Sequence, residues 1–297
     1  MSPRLLAHLA LLIVALIYSA NYVIAKDVMP EYIGPRGFIF IRVVGATLLF
    51  FAFSTFTKGS KRIERKDWFR ILLCGFFGVA GNQLLFFEGL NLTTPINAAV
   101  IMTSNPVLVL VMGALLLRER LKPLKILGVI IGGGGALYLI LGSGEANLLE
   151  PTASLGNLLI FINASSYAVY LVIVKPLMAK YDALLVIKWV FFSGLLFVVP
   201  AGVGQFSEID WSSWTPGIFA SVGFVVVFTT FIAYLFNVFA LKTLSSATVS
   251  TYIYLQPLFT TLLSLFLARD VLTLRAVVAA ALIFTGVYLA ARKQQKK

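Results

Sequence analysis

Two residues in this sequence carry a formal charge inside apolar surroundings, Arg42 and Glu88. Arg42 lies seven residues past Pro35, about 10 Å into a helix at 1.5 Å per residue. A guanidinium does not lose its charge at ordinary pH, so it needs a partner or a path to water. Glu88 sits at a comparable depth in a neighbouring apolar stretch, with Lys26 on the same side. Two readings stay open: an anion-binding or gating pair in the outer half of a cavity, or Arg42 snorkelling toward headgroups with Glu88 at the interface. Glu88 is also the candidate proton carrier, because burial favours its neutral form and a neighbouring Arg its charged form.

Uncharged polar residues in apolar runs are few: Asn21 and Tyr22, Asn82 and Gln83, Asn97, Asn105, Asn163, Asn237, Tyr252 and Gln256. In hydrocarbon such side chains are expensive and mark pathways or binding sites. They are the expected lining of a substrate cavity. The alternative for each is an interhelical hydrogen bond, worth roughly 0.6–2 kcal/mol. Pro106 and Pro257 fall in the middle of apolar runs, where proline removes a donor and frees the carbonyl four residues upstream. They are read either as kinks around a cavity, moving during gating, or as packing kinks.

Other chemistry is poorly provided for. The one cysteine, Cys74, and the one histidine, His8, leave no disulfide, no Cys or His metal cluster and no His-dependent triad. No metal and no cofactor is expected. The run Gly132 to Gly135 follows no strand and lacks a Gly-Lys-Ser/Thr ending; it suits close helix packing and not a phosphate. With no P-loop, nucleotide hydrolysis is not expected. Glu119 and Asp270 sit in the charged turns Arg118-Glu-Arg-Leu and Arg269-Asp-Val-Leu, as local ion pairs or helix caps.

The elements that must position these residues follow from composition. Of 297 residues 60% are hydrophobic and 12% charged, with mean hydropathy +0.95. Apolar windows bounded by charge, Gly or Pro cover Leu5–Ala25, Pro35–Phe56, Phe69–Leu90, Ile96–Leu117 and Lys125–Gly142, then Leu155–Lys175, Leu184–Gln205, Pro216–Ala240, Ser246–Ala268 and Thr273–Ala291. At about 20 residues per bilayer crossing, this predicts an all-α integral membrane protein of ten transmembrane helices. The first run, preceded by Arg4, is read as a span and not as a cleaved leader. The net charge of +12 lies mainly in connectors, as topology signals do, so nucleic acid is not an expected partner. With ten spans, nineteen Lys and Arg fall on the side of the termini and four on the other, Arg42 being the remaining one. The positive-inside rule then places both termini in the cytoplasm.

The chain also repeats. A shift of 151 aligns Pro106 with Pro257, Arg118-Glu119 with Arg269-Asp270, Leu121 with Leu272 and Gly135 with Gly286. A shift of 149 aligns Tyr18 to Lys26 with Tyr167 to Lys175. The predicted units are 1–146 and 147–297. Five spans per unit is an odd number, so the second copy enters the membrane from the opposite face: two inverted five-helix repeats, which allow related conformations open to either side.

The stretch Asn91-Leu-Thr-Thr-Pro-Ile-Asn-Ala-Ala-Val, then Asn105-Pro106, Leu117-Arg-Glu119-Arg-Leu and Leu127-Gly128, resembles the EamA-type domain of the drug/metabolite transporter superfamily. Ser245-Ser-Ala-Thr-Val, Gln256-Pro257, Asp270 and Gly286 resemble its second copy, so the likeness covers essentially the whole chain. It implies a bacterial-type inner-membrane carrier, usually an exporter of amino acids or related metabolites. It also implies a cavity lined mainly by spans 1, 3, 4, 6, 8 and 9, with Asn21, Arg42, Pro106, Glu119, Pro257 and Asp270 at motif positions. Two departures stand out: Asp270 where the family commonly has Glu, and Trp189 aligned with Arg42 once one gap is allowed, or Lys188 if the register shifts by one. The expected function is export of a small polar or amphipathic metabolite by alternating access. A nucleotide-sugar or organophosphate exchanger of the same superfamily is the alternative. A membrane-embedded enzyme lacks the clustered Asp or His it would need. The expected partners are a small-molecule substrate and the lipid bilayer; oligomeric state is not readable from the sequence.

Overall fold

The computed structural model describes residues 2–56, 62–117, 123–142, 152–241, 243–244 and 252–291. Over those residues helix occupies each of the ten apolar tracts. In chain order these are α1 (Pro3–Val28), α2 (Pro35–Ser54), α3 (Trp68–Gly75), α4 (Gly81–Leu92), α5 (Pro95–Met102), α6 (Asn105–Leu117) and α7 (Pro123–Gly142). The second half contributes α8 (Thr152–Lys180), α9 (Ala183–Ser207), α10 (Pro216–Phe224), α11 (Ala233–Leu241), α12 (Leu255–Phe266) and α13 (Leu274–Ala291).

Helix starts follow the local sequence. Proline stands at the first turn of α1, α2, α5 and α10, where its missing N–H is not needed. Ser2, Thr94, Asp182 and Thr215 cap α1, α5, α9 and α10 through side-chain oxygens that accept from Leu5, Asn97, Leu184 and Ile218 N–H. Large apolar side chains lie outward as well as inward: on α1, Leu5, Leu9, Ile13 and Leu16 are exposed while Ala7, Leu11, Val14 and Ala15 are buried. Helices apolar on both faces belong in lipid, where the backbone must satisfy itself. The fold is an all-α, multi-spanning membrane fold. Six continuous helical stretches are long and apolar enough to cross a bilayer, and α5 with α6, bent by 41°, makes a seventh. Pro123–Leu139 in α7, Tyr252–Phe266 and Leu274–Leu289 are shorter apolar helices.

Two stretches depart from α geometry. Phe76–Ala80, between α3 and α4, and Val225–Ile232, between α10 and α11, are π-helical. They begin 149 residues apart, the offset at which the sequence aligns with itself. Packing repeats in the same way. α4 packs on α8 as α11 packs on α1, and α6 on α8 as α12 on α1; α2 with α9 and α7 with α13 pair each helix with its counterpart.

The α7–α13 seam explains the glycine run. A Cβ on Gly286 would lie 2.4 Å from Gly132 N and 2.5 Å from Gly132 Cα, and one on Gly135 would lie 3.1 Å from Ile283 Cγ1. Shifted by 151, Gly286 becomes Gly135 and Ile283 becomes Gly132, so these two contacts are one contact made twice. Gly133 and Gly134 face open space. Elsewhere the core is aromatic: Phe38 meets Phe87 edge-on at 5.2 Å and Phe50 meets Phe191 at 5.0 Å, all four fully buried.

Candidate functional site

The fourth apolar tract was expected to be one helix kinked at a central proline. Instead the helix ends before the proline. α5 stops at Met102, residues 103 and 104 form a turn, and α6 begins at Asn105, which places Pro106 in a first turn. The turn engages carbonyls near the end of α5: Thr103 donates to Val100 O from N–H and Oγ1, and Ser104 to Ile101 O from N–H and Oγ. Pro257 likewise sits in the first turn of α12, behind the 3₁₀ turn Tyr252–Tyr254. Pro106 therefore does not interrupt a continuous α-helix, and Pro257 stands directly behind a 3₁₀ turn.

A cleft opens beside the second break. It encloses at most about 240 Å³ and is lined by Leu11, Val14, Ala15 and Tyr18 of α1, Asn237 of α11, and Tyr252, Ile253 and Gln256. Three expected cavity residues meet there: Asn237, Tyr252 and Gln256. His8 Nδ1 and the Tyr252 hydroxyl share a 2.7 Å hydrogen bond at its edge, and Ser19 Oγ donates to Gln256 O at 3.2 Å.

The remaining candidates lie outside that cleft lining. Asn82 and Asn163 bridge α4 and α8, Asn163 Nδ2 donating to Asn82 O at 2.5 Å and Asn82 Nδ2 to Asn163 O at 3.4 Å. Asn105 Nδ2 donates to Ala164 O at 3.4 Å. Tyr22 is buried edge-on to Phe86 at 5.4 Å, and Asn97 is half-buried in the first turn of α5. Among the described residues, the buried Asn21 Oδ1, Gln83 Oε1 and Asn163 Oδ1 have no hydrogen-bond donor. Buried acceptors seldom stay unpaired, so these three point to a polar occupant or water.

Arg42 is the one charged side chain among the buried described residues, 8% exposed. One of its two readings pairs it with Glu88, but Glu88 pairs with Arg36 at 2.7 Å. The reason is geometric: Arg36 and Arg42 are six residues apart on α2, about 9 Å along the axis and about a third of a turn around it. Arg42 Nε donates instead to Thr230 Oγ1 at 2.8 Å, and its guanidinium lies 5.2 Å from the Phe87 ring centroid. Thr230 donates in turn to Val225 O, five residues back, so the second π-helical stretch aims its hydroxyl at Arg42. Tyr18 and Tyr234 stand within electrostatic range of the guanidinium. Tyr18, Thr230 and Tyr234 did not emerge from the sequence as site residues. The available signal was that Tyr18 and Tyr167 occupy matching positions in the two copies.

A second cluster ties α1 to its neighbours at the Lys26 end. Lys26 Nζ donates to Leu90 O at 3.0 Å and Asn91 O at 2.5 Å, the last carbonyls of α4. Asp27 pairs with Arg269 at 3.2 Å, and Asp270 Oδ2 accepts from Ile96 N–H at 3.0 Å. Asp270 was expected to act locally; it caps α5 in the other half of the chain. Glu119, its counterpart, lies outside the described residues. Lys175, the counterpart of Lys26, is exposed and without a hydrogen bond among the described residues. At the His8 end, Lys180 reaches Glu64 at 2.6 Å and Asp67 at 2.7 Å. Hydrogen bonds from Lys180 and Lys66 hold the Glu64 carboxyl below its ordinary range.

Among the described residues no three His, Cys, Asp or Glu side chains gather as a metal site requires. The sequence profile of the EamA-like transporter family matches residues 5–141 and again 154–292. An uncharacterized transporter of Archaeoglobus fulgidus is 24% identical over 291 residues, covering 97% of this chain and 98% of its own. The uncharacterized transporter YyaM of Bacillus subtilis is 25% identical over 236 residues, 79% of this chain and 77% of its own. A probable terminal-alkyne amino-acid exporter of Streptantibioticus cattleyicolor is 26% identical over 142 residues, 48% of this chain and 46% of its own. A crystal structure superposes with a TM-score of 0.62 over 96% of each chain at 20% identity.

Proposed function

The chain belongs to the EamA-like transporter family, and from that premise we propose that this membrane transporter of small molecules exports amino acids or related amphipathic metabolites by alternating access. The observation that carries the reading is the packing that stays the same when the halves are exchanged, α4 on α8 as α11 on α1. Two copies facing opposite ways can trade shapes at little cost, which opens the centre to one side and then the other.

In this reading the protein crosses a bacterial inner membrane ten times, α5–α6 forming one broken span and the shorter helices completing the count. Its units are 1–146 and 147–297, its termini are cytoplasmic and the Lys26 end faces outward. The Lys26, Asp27–Arg269 and Asp270–Ile96 contacts would then close the outer mouth, while the Tyr18–Tyr252 cleft opens inward. Amino acids are favoured by the partial likeness to the Streptantibioticus exporter. A sugar-phosphate substrate would call for several buried cations, and Arg42 is the single one among the described residues. The acidic residues are scattered through connectors, which leaves no cluster for an embedded enzyme.

Purified protein in liposomes, screened for uptake of amino acids against sugar phosphates, tests the function. Uptake of amino acids alone supports it; uptake of sugar phosphates alone favours the exchanger. Accessibility tags at positions 61 and 180 on opposite faces of the membrane would overturn the topology.

A further inference from the structure

We propose that Arg42 is the anion-binding group of the substrate site and that its ligand is a monocarboxylate on a largely apolar body. The inference rests on the transport reading and adds a substrate class to it.

A buried charge without a counter-ion is costly and is retained where something pays that cost. Among the described residues Arg42 has no carboxylate within ion-pair distance and makes one hydrogen bond, from Nε to Thr230 Oγ1. The acidic residue nearest in depth, Glu88, is engaged by Arg36. Among the described residues neither Nη group of Arg42 donates to a protein acceptor. Those groups form the planar fork that fits a carboxylate.

The surroundings narrow the ligand further. Phe87 lies under the guanidinium at 5.2 Å, and Tyr234 packs edge-on to Phe191 at 5.4 Å. These rings, Phe87 and Phe191 fully buried, make the surroundings of Arg42 apolar. Tyr18, on α1 with Leu11, Val14 and Ala15, forms part of the cleft wall. One guanidinium balances one negative charge. A phosphate dianion would keep a second charge uncompensated in the same low-dielectric surroundings, and a neutral ligand would leave Arg42 as it is.

The test uses the purified full-length chain in detergent and equilibrium dialysis of 3-phenylpropionate, 3-phenylpropionamide and phenyl phosphate. We expect the acid to bind roughly tenfold to a hundredfold tighter than the amide, the range of a hydrogen bond to a charged group. The Arg42→Gln variant should lose that discrimination, and Arg42→Lys should keep part of it. Equal affinity for acid and amide in the wild type, undetectable binding of the acid at millimolar concentration, or a preference for phenyl phosphate would each overturn the proposal without needing any variant to fold. So would full discrimination in a folded Arg42→Gln. Binding is read apart from flux. A chain that selects the acid but moves no solute in liposomes contradicts the transport reading alone, and one that moves solutes without selecting the acid contradicts this inference alone.

Discussion

Asp270 Oδ2 accepts a 3.0 Å hydrogen bond from the backbone N–H of Ile96, 174 residues earlier, so an acidic residue in the turn before the last helix caps a helix in the first half of the chain. Helix α5 ends against a break after eight residues, and a segment so short depends on its caps and its packing.

Asp270→Ala should therefore cost about 1 kcal/mol, within the 0.5–2 kcal/mol of lost capping interactions, and lower the melting temperature by roughly 2–4 °C. Asp270→Asn, which still offers an oxygen, should lose less. A melt in detergent checks both; equal losses would assign the effect to charge and not to capping.

Close approach at the α7–α13 seam gives an opposite pair. Gly286→Ala places a Cβ 2.4 Å from Gly132 N and should destabilise by about 1–3 kcal/mol, as overpacking does. Gly134→Ala meets nothing within 4 Å and should be neutral or stabilising by up to about 1 kcal/mol, because alanine loses less backbone entropy. Thermal unfolding of the two variants should move in opposite directions.

Lys26 holds the end of α1 to the last carbonyls of α4. Lys26→Met should loosen that end. In a Cys74→Ala background, a thiol introduced by Asn21→Cys, at a position now 4% exposed, should react severalfold faster with an impermeant reagent applied from the Lys26 side. An unchanged rate would show that Lys26 does not close this end.

Acid should affect the opposite end. Hydrogen bonds from Lys180 and Lys66 depress the Glu64 carboxyl. A carboxyl lowered in the folded state contributes fully above its unfolded value, here 4.5, and loses that contribution as pH falls through the folded one. Wild-type melting temperature should fall below about pH 4.5, and Glu64→Gln should show a shallower fall over the same window. The effect is small, since Glu64 is half exposed.

Much of the fold was legible because lipid imposes a simple requirement: each of the ten apolar windows contains helix, bounded by the Pro, Ser, Thr and Asp residues that begin helices. Gly132 and Gly135 of the glycine run pack closely as read, while Gly133 and Gly134 do not. Side-chain partners were harder. Glu88 choosing Arg36 over Arg42 depends on how α2 is rotated against α4, and helices apolar on both faces carry almost no record of rotation. The π-helical stretches leave no periodic signal either, so Thr230 could not be seen facing Arg42. Asp270 reaches across the halves because Pro95 begins α5 beside it, a proximity that sequence distance conceals.

Gly132 touching Gly286 and Gly135 touching Ile283 have a bearing on ancestry. In a half-length forebear, residue i of one copy would meet residue j of a second while j met i, the signature of a self-complementary two-fold dimer. Such a forebear, inserted both ways round, would have possessed this seam before gene fusion joined its copies. Copies free to diverge after such a fusion would account for Arg42 in one half where, with one gap, Trp189 aligns in the other.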